Sequence, residues 1–202
     1  MTSKQRSTTS KPAGRRLPLP LIGGVVFTVL LIVTVFLTLD GESDDRPDEY
    51  GSPSVTGALP VLTDSVNDPA MGTAAPEVIG QGFDGSEISI TADGNAKAIL
   101  FLAHWCPFCQ EELPWVSDWL NANGAPEGVD VYAVATSINR TRENWPPSEW
   151  LEREGFPGPV LVDDETNSIA TAFGLPAYPY WVFVGADGNV AGRVSGGITQ
   201  DD

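Results

Sequence analysis

The chain predicts an α/β domain of three layers built on a mixed sheet. Three observations carry that expectation. A near-continuous apolar run, Ala98–Ala103, leads into Cys106-Pro107-Phe108-Cys109 and then into a segment with helical spacing. Strand-like and helix-like segments alternate from there on. The last two strand-like segments flank Ala186-Asp187-Gly188-Asn189, an Asp-Gly hairpin turn, so they run antiparallel.

In chain order, the folded domain is expected from about Ala75-Pro76. Val78–Phe83 and Glu87–Ile90 flank a turn at Asp84-Gly85-Ser86 and read as a short hairpin. Ala98–Ala103 lacks polar alternation, as expected of a strand covered on both faces. Cys106 to about Asn123 is a helix whose Leu113, Val116 and Leu120 form one buried stripe, closed by Asn123-Gly124 and Pro126. Pro114 lies inside this helix and should bend it. Val129–Ala135 is the next strand. Pro147-Ser148-Glu149 opens a helix that Gly155 stops. Pro159–Val162 is a short strand, and a helix from Asp164 or Glu165 to Phe173 ends at Gly174. Tyr180–Val184 and Asn189–Val194 form the final hairpin.

Charge divides the 202 residues unevenly. The first 39 residues hold five cations and no acid, so the remainder carries −21 of the overall −16. Leu21–Leu39 is 19 residues without a charge, close to the ~20 needed to cross a bilayer's hydrocarbon core. Basic residues precede it and Asp40, Glu42, Asp44 and Asp45 follow, which by the positive-inside rule puts the N-terminus in the cytoplasm and the rest outside. A cleaved signal peptide would have a shorter apolar core and a small-x-small site, and the run ends Phe36-Leu37-Thr38-Leu39-Asp40 without one. The expected organisation is a basic tail (1–16), a transmembrane anchor (17–39) in contact with membrane lipid, a flexible acidic linker (40–75) and a folded domain (76–202). The linker is rich in Asp, Glu, Gly, Ser, Pro and Thr, too poor in large apolar residues to offset chain entropy. An acidic domain repels phosphates, which argues against nucleic acid as a partner.

The two cysteines are the only ones in the chain. A strand that delivers a C-x-x-C pair to a helix start is the geometry of dithiol–disulfide exchange, with Cys106 exposed at the helix's positive end and Cys109 one turn deeper. The unpaired N–H groups there favour a thiolate on Cys106. A purely structural disulfide is disfavoured, because a two-residue spacer closes too small a loop to constrain the unfolded chain. A structural zinc needs four ligands, whereas two Cys and one His are present, so no metal is expected. An exported domain lies in an oxidising compartment where such a pair can persist as a disulfide and exchange.

Phe101 to Cys109, followed by Glu112 and Pro114, resembles the W-C-x-x-C-x-x-E-x-P signature of membrane-anchored, extracytoplasmic thioredoxin-like proteins of the TlpA/ResA type. Phe173–Val184 resembles that family's segment around its cis-proline, and Asp187-Gly188 its final hairpin turn. The resemblance spans roughly residues 75–197 and implies a thioredoxin-like fold and a thiol–disulfide oxidoreductase. It implies Cys106 as attacking thiol and Cys109 as resolving thiol. Pro179 would be the cis-proline, with Pro176 its rival, and the backbone of Tyr178 would pair with a bound substrate strand. Glu112 would relay a proton to or from Cys109, or else is a solvated helix acid beside Glu111. Trp105, Pro107, Phe108, Tyr178 and Pro179 would shape the partner-binding surface. His104 would either favour the thiolate as an imidazolium or sit partly exposed at a strand end. No bound cofactor is required. The implied partners are thiols or disulfides of exported proteins and an electron-transfer partner in the membrane.

Three departures stand out. Leu100 occupies the position of the buried aspartate of cytosolic thioredoxins. Pro107 directly after the first cysteine is the order of disulfide-donating DsbA-like enzymes and glutaredoxins, so oxidase is the alternative to the favoured reductase. Gly196–Asp202 is too short for the helix that normally closes a thioredoxin fold, so either the fold lacks that cover, leaving a sheet face exposed, or the chain is cut short. A thiol peroxidase would want Thr or Ser where Ala103 stands. A non-enzymatic copper chaperone or adaptor on the same fold would want a wider cysteine spacing and a distant His.

Overall fold

A computed structural model describes residues 49–198. The expected basic tail, the anchor and residues 40–48 of the expected linker lie outside the described residues. No helix among the described residues is long and apolar enough to cross a membrane.

The elements follow in the order β1 (Ser54–Thr56), β2 (Glu77–Gln81), β3 (Glu87–Ile90), β4 (Ala96–Leu102), α1 (Pro107–Asn123), β5 (Val129–Ala135), α2 (Pro147–Glu154), β6 (Val160–Val162), α3 (Ser168–Ala172), β7 (Tyr180–Val184) and β8 (Val190–Ser195). The main sheet has the order β6-β5-β4-β7-β8. Strands β4, β5 and β6 are parallel, and β7 and β8 are antiparallel to their neighbours. This is the mixed sheet expected. A second, antiparallel sheet holds β1, β2 and β3.

Strand β4 explains the layering. Side chains alternate between faces along a strand. Ile99 and Phe101 enter a core with Val134, Ile169, Phe173, Tyr180 and Val182, capped by Val78 and Ile90 of the small sheet. Leu100 and Leu102 point the other way, against Cys109, Leu113 and Val116 of α1 and Trp150 of α2. Both faces are covered, so β4 can be apolar throughout. Helix α1 begins where the sequence places it, runs on through Pro114 and ends at Gly124, whose N–H donates to the Leu120 carbonyl.

The expected flexible linker is corrected over residues 49–75. Strand β1 pairs with β2, placing Ser54 opposite Ile79. Leu59, Leu62 and Ala70 are buried in the core. The Asp68 carboxylate accepts from Nε of Arg193 at 2.7 Å, and neither side chain is solvent-exposed. Arg193 also donates to the carbonyls of Pro60 and Phe173 at 2.8 and 3.1 Å. Gly174 permits this crossing: its φ is +70°, and a Cβ there would stand 2.2 Å from the Pro60 oxygen. Glu49 accepts from the Ser148 N–H and hydroxyl at 3.1 and 2.8 Å, tying the segment to the start of α2. Polar composition suggested a tether. Leu59, Leu62 and Ala70 and two acids, Glu49 and Asp68, are buried against partners, which composition does not register.

Beyond β8, Gly196–Ile198 cross the α1 side of the sheet, and no helix follows among the described residues. An apolar groove of about 330 Å³ there is lined by Trp115, Trp119, Trp181, Phe183 and Ile198, among others.

The buried ion pair yields a test. Asp68→Ala leaves the Arg193 guanidinium buried without its counter-charge, which costs about 3–5 kcal/mol. Equilibrium urea unfolding should show a lower midpoint at an unchanged slope; an unchanged midpoint would mean that residues 49–75 do not contribute to the fold.

Candidate active site

The site lies at the carboxyl end of β4. Cys106 is the N-cap of α1, in extended conformation at φ −80° and ψ 120°, and Pro107 takes the first helical position. Proline costs nothing there, because the first N–H groups of a helix lack intrahelical acceptors. The same vacancy leaves amide N–H groups beside the Cys106 thiol. Both cysteines are free thiols and both are buried. Cys106 retains 6% exposure and Cys109 none. The expectation of an exposed first thiol is thereby corrected: Cys106 is buried, while the next two residues, Pro107 and Phe108, are exposed, Phe108 at 61%.

The cysteines face the loop before β7. Tyr178–Pro179 is a cis peptide, as is Trp145–Pro146, whereas Pro176 is not. The Cys106 Sγ lies 3.8 Å from the Tyr178 carbonyl oxygen. Trp105 meets Tyr178 edge to face at 6.0 Å, and its indole N–H donates to the Ser137 carbonyl at 2.7 Å. Trp105, Cys106, Tyr178 and Pro179 are thus brought together, with Phe108 and Pro107 at the solvent side.

Behind the pair sits Glu112. It is 2% exposed, so the reading of a solvated helix acid is overturned. Its Oε1 accepts from the Trp181 indole N–H at 2.6 Å, and its Oε2 from the Ile198 backbone N–H at 2.9 Å. Burial raises the carboxyl above the usual glutamate range, while the two donors pull it back down. Burial likewise pushes the Cys109 thiol far up, and the neighbouring Cys106 and Glu112 add to the rise. Cys109 is therefore held as a thiol in the resting dithiol. Leu100 is fully buried against α1, so no second carboxylate enters from that position.

His104 has neither expected role. It is 1% exposed rather than at an open strand end. Its Nε2 accepts from the Asn139 N–H at 3.1 Å, which leaves Nδ1 to donate to the Glu143 carbonyl at 2.7 Å. Burial lowers its proton affinity, the Glu143 carbonyl opposes that, and the nearby Arg142 reinforces it. A neutral ring using both nitrogens fixes the 139–143 loop to the end of β4. Among the described residues no cluster of His, Cys, Asp or Glu could hold a metal.

The Redoxin family model matches residues 70–201. The chain belongs to the Redoxin family. Its relatives include the thiol-disulfide oxidoreductase ResA of Geobacillus thermodenitrificans (strain NG80-2), 25% identical over 135 residues, which are 66% of this chain and 74% of that one. Solved structures share the thioredoxin-like fold. StoA from Bacillus subtilis matches with a TM-score of 0.51 at 20% identity, covering 66% of this chain and 95% of that one. A thiol:disulfide interchange protein of the thioredoxin family from Chlorobium tepidum TLS matches at 0.54 and 24% identity, covering 66% and 92%. The TlpA/ResA-type resemblance stands, and this member of the family is a thiol–disulfide oxidoreductase.

Two contributors escaped the sequence reading. Trp181 was visible only as an apolar strand residue, although a buried indole N–H demands an acceptor and could have been searched for one. The Ile198 amide carries no sequence signal.

Two outcomes follow from these environments. Trp181→Phe removes one donor from Glu112, so its carboxyl should titrate higher than in the unmodified protein, followed by 13C NMR of labelled glutamate. In the reduced folded chain, Cys109 keeps its proton where the unfolded chain releases it. The folded state then binds more protons, and stability falls as pH rises past the ordinary thiol range, by at most about 1.4 kcal/mol per pH unit. Urea unfolding of the reduced protein between about pH 8 and 10 should show this slope, shallower in Cys109→Ala.

Proposed function

We propose that this chain is a membrane-tethered, extracytoplasmic reductase that opens disulfides in exported proteins through Cys106 and Cys109. The observation that carries the assignment of roles is the unequal placing of the two thiols. Cys106 sits at a helix start against the Tyr178 carbonyl, while Cys109 is sealed in beside a buried carboxyl.

The Cys106 thiolate attacks one sulfur of the substrate disulfide. A Cys106–substrate bond forms, the substrate S–S bond breaks, and one substrate thiolate leaves. Cys109 then gives its proton to Glu112 and attacks the Cys106 sulfur. The intramolecular disulfide forms, the mixed disulfide breaks, and the second substrate thiolate departs. Two electrons pass from the dithiol to the substrate, with two protons following. Glu112 suits the transfer because burial brings the proton affinity of its carboxyl up toward that of the thiol.

The same burial supports the reductive direction. Strong oxidants have a stabilised reduced form, whereas here Cys109 gains nothing as a thiolate. Once deprotonated it is a strong nucleophile that draws the pair toward the disulfide. The Tyr178 carbonyl beside the reactive sulfur suits an extended substrate backbone, and Pro107, Phe108 and Trp105 offer apolar contact around it. The export reading rests on Leu21–Leu39 and its charged flanks. The relative named ResA supports the class of reaction.

Cys106→Ser should abolish reduction of a disulfide substrate. Cys109→Ser should accumulate a mixed disulfide through Cys106, seen by intact-protein mass. Equilibration against glutathione should give a potential below about −200 mV; a value near the −120 mV of a strong oxidase would reverse the direction.

A further inference from the structure

The segment that leaves β8 touches both halves of the site. The Ser195 hydroxyl donates to the Ala177 carbonyl at 3.3 Å, and the Gly196 N–H donates to the Pro179 carbonyl at 2.9 Å. Two residues later the Ile198 N–H donates to Glu112 Oε2 at 2.9 Å. The carbonyls before β7 thus divide. Ala177 and Pro179 are held by this strap, and the Tyr178 carbonyl between them faces the Cys106 sulfur at 3.8 Å. Ser195–Ile198 is therefore a short link between the loop that faces the reactive thiol and the carboxyl behind the resolving one.

Local chemistry explains the path. Gly196 sits at φ +94°, a conformation side-chain-bearing residues rarely take, and turns the chain off the strand. Gly197 lies flat against the carboxyl: a Cβ there would stand 3.5 Å from Oε2. Ile198 is half-buried against the core that holds α1 and Trp181, which anchors the far end. The other neighbours of Glu112 do not replace this amide. From β7 the Trp181 indole serves Oε1. On α1, Glu111 is exposed, and the titratable groups inside are Cys109, which feels the carboxylate charge, and then Cys106. The Tyr178 hydroxyl lies beyond Cys109. An N–H aimed at one oxygen favours the carboxylate over the acid.

We propose that Ile198 is a positioning residue for the resolving step: its main-chain N–H, set by the strap, holds Glu112 as the carboxylate that takes the Cys109 proton. The proposal rests on the thiol-exchange reading and adds a group to its second half. The step itself is unchanged. The proton passes from the Cys109 sulfur to Glu112, the Cys106–Cys109 bond forms, the Cys106–substrate bond breaks, and the substrate thiolate leaves.

The test mixes the reduced full chain rapidly with a fluorescent peptide disulfide and follows release of the second peptide thiol from about pH 5 to 9. The rate should climb along a limb set by ionisation of Glu112. Ile198→Pro deletes the donor and keeps an apolar side chain. It should move the limb up by about one pH unit, while the attack by Cys106 stays within about twofold. Gly196→Ala keeps every donor but strains the turn, and should shift the limb the same way by less. Ile198→Ala keeps the N–H and should leave the limb in place. In Glu112→Gln the limb should vanish, and adding Ile198→Pro should change nothing more. An unmoved limb in both Ile198→Pro and Gly196→Ala would overturn the proposal. So would a shift in Ile198→Ala as large as in Ile198→Pro, which would assign it to lost packing. A limb that survives Glu112→Gln would instead overturn the part given to Glu112 in the thiol-exchange reading, and the strap with it.

Discussion

Strand β4 must be covered on both faces, and the rest of the molecule is arranged to meet that demand. Its side chains alternate into two cores, so helices have to lie on both sides, and the strands beside it must be long enough to shield it. Its carboxyl end is then the natural place for a recessed but reachable group. Ala103 and His104 are buried there, Trp105 is half out, and Cys106 turns the chain into α1. Each functional side chain sits within a few residues of that turn or on a segment pinned to it. The reactive sulfur follows directly on a central strand whose last four residues are all buried.

Around that sulfur the polar groups divide by burial rather than by type. Glu112 and Cys109 share an apolar pocket, and both are pushed toward their protonated forms. His104 is pushed the other way, toward neutrality, because burial penalises a cation. Burial thus sets the proton affinities of the groups packed behind Cys106. In the proposed resolving step, a proton passing from Cys109 to Glu112 moves one negative charge from carboxylate to thiolate within that pocket, so the charge is relocated rather than newly created.

Much of this was legible because the informative residues are local. Strand, cysteine pair and helix are contiguous, and the apolar spacing of Leu113, Val116 and Leu120 names the face of α1 that packs. Tyr178–Pro179 was found through its neighbours, which carry the family pattern. What escaped involves partners far apart in sequence. Glu112 meets Trp181 and Ile198, 69 and 86 residues away. Asp68 looked like one acid of a solvated linker, and nothing near it announces Arg193. Periodicity reports which way a side chain points; it does not report which distant group waits there.

The clasp between Asp68 and Arg193 joins positions 125 residues apart. A chain emerging vectorially from a ribosome or an export channel presents Leu59, Leu62 and Asp68 long before their final neighbours exist. The early segment must wait until the last hairpin has appeared, because the core it completes includes Phe173, Tyr180 and Val190. Contacts of such separation close late and slowly. The clasp can therefore close only after the last hairpin is delivered, and until then the dithiol lacks the wall formed by Tyr178, Trp181 and Ile198.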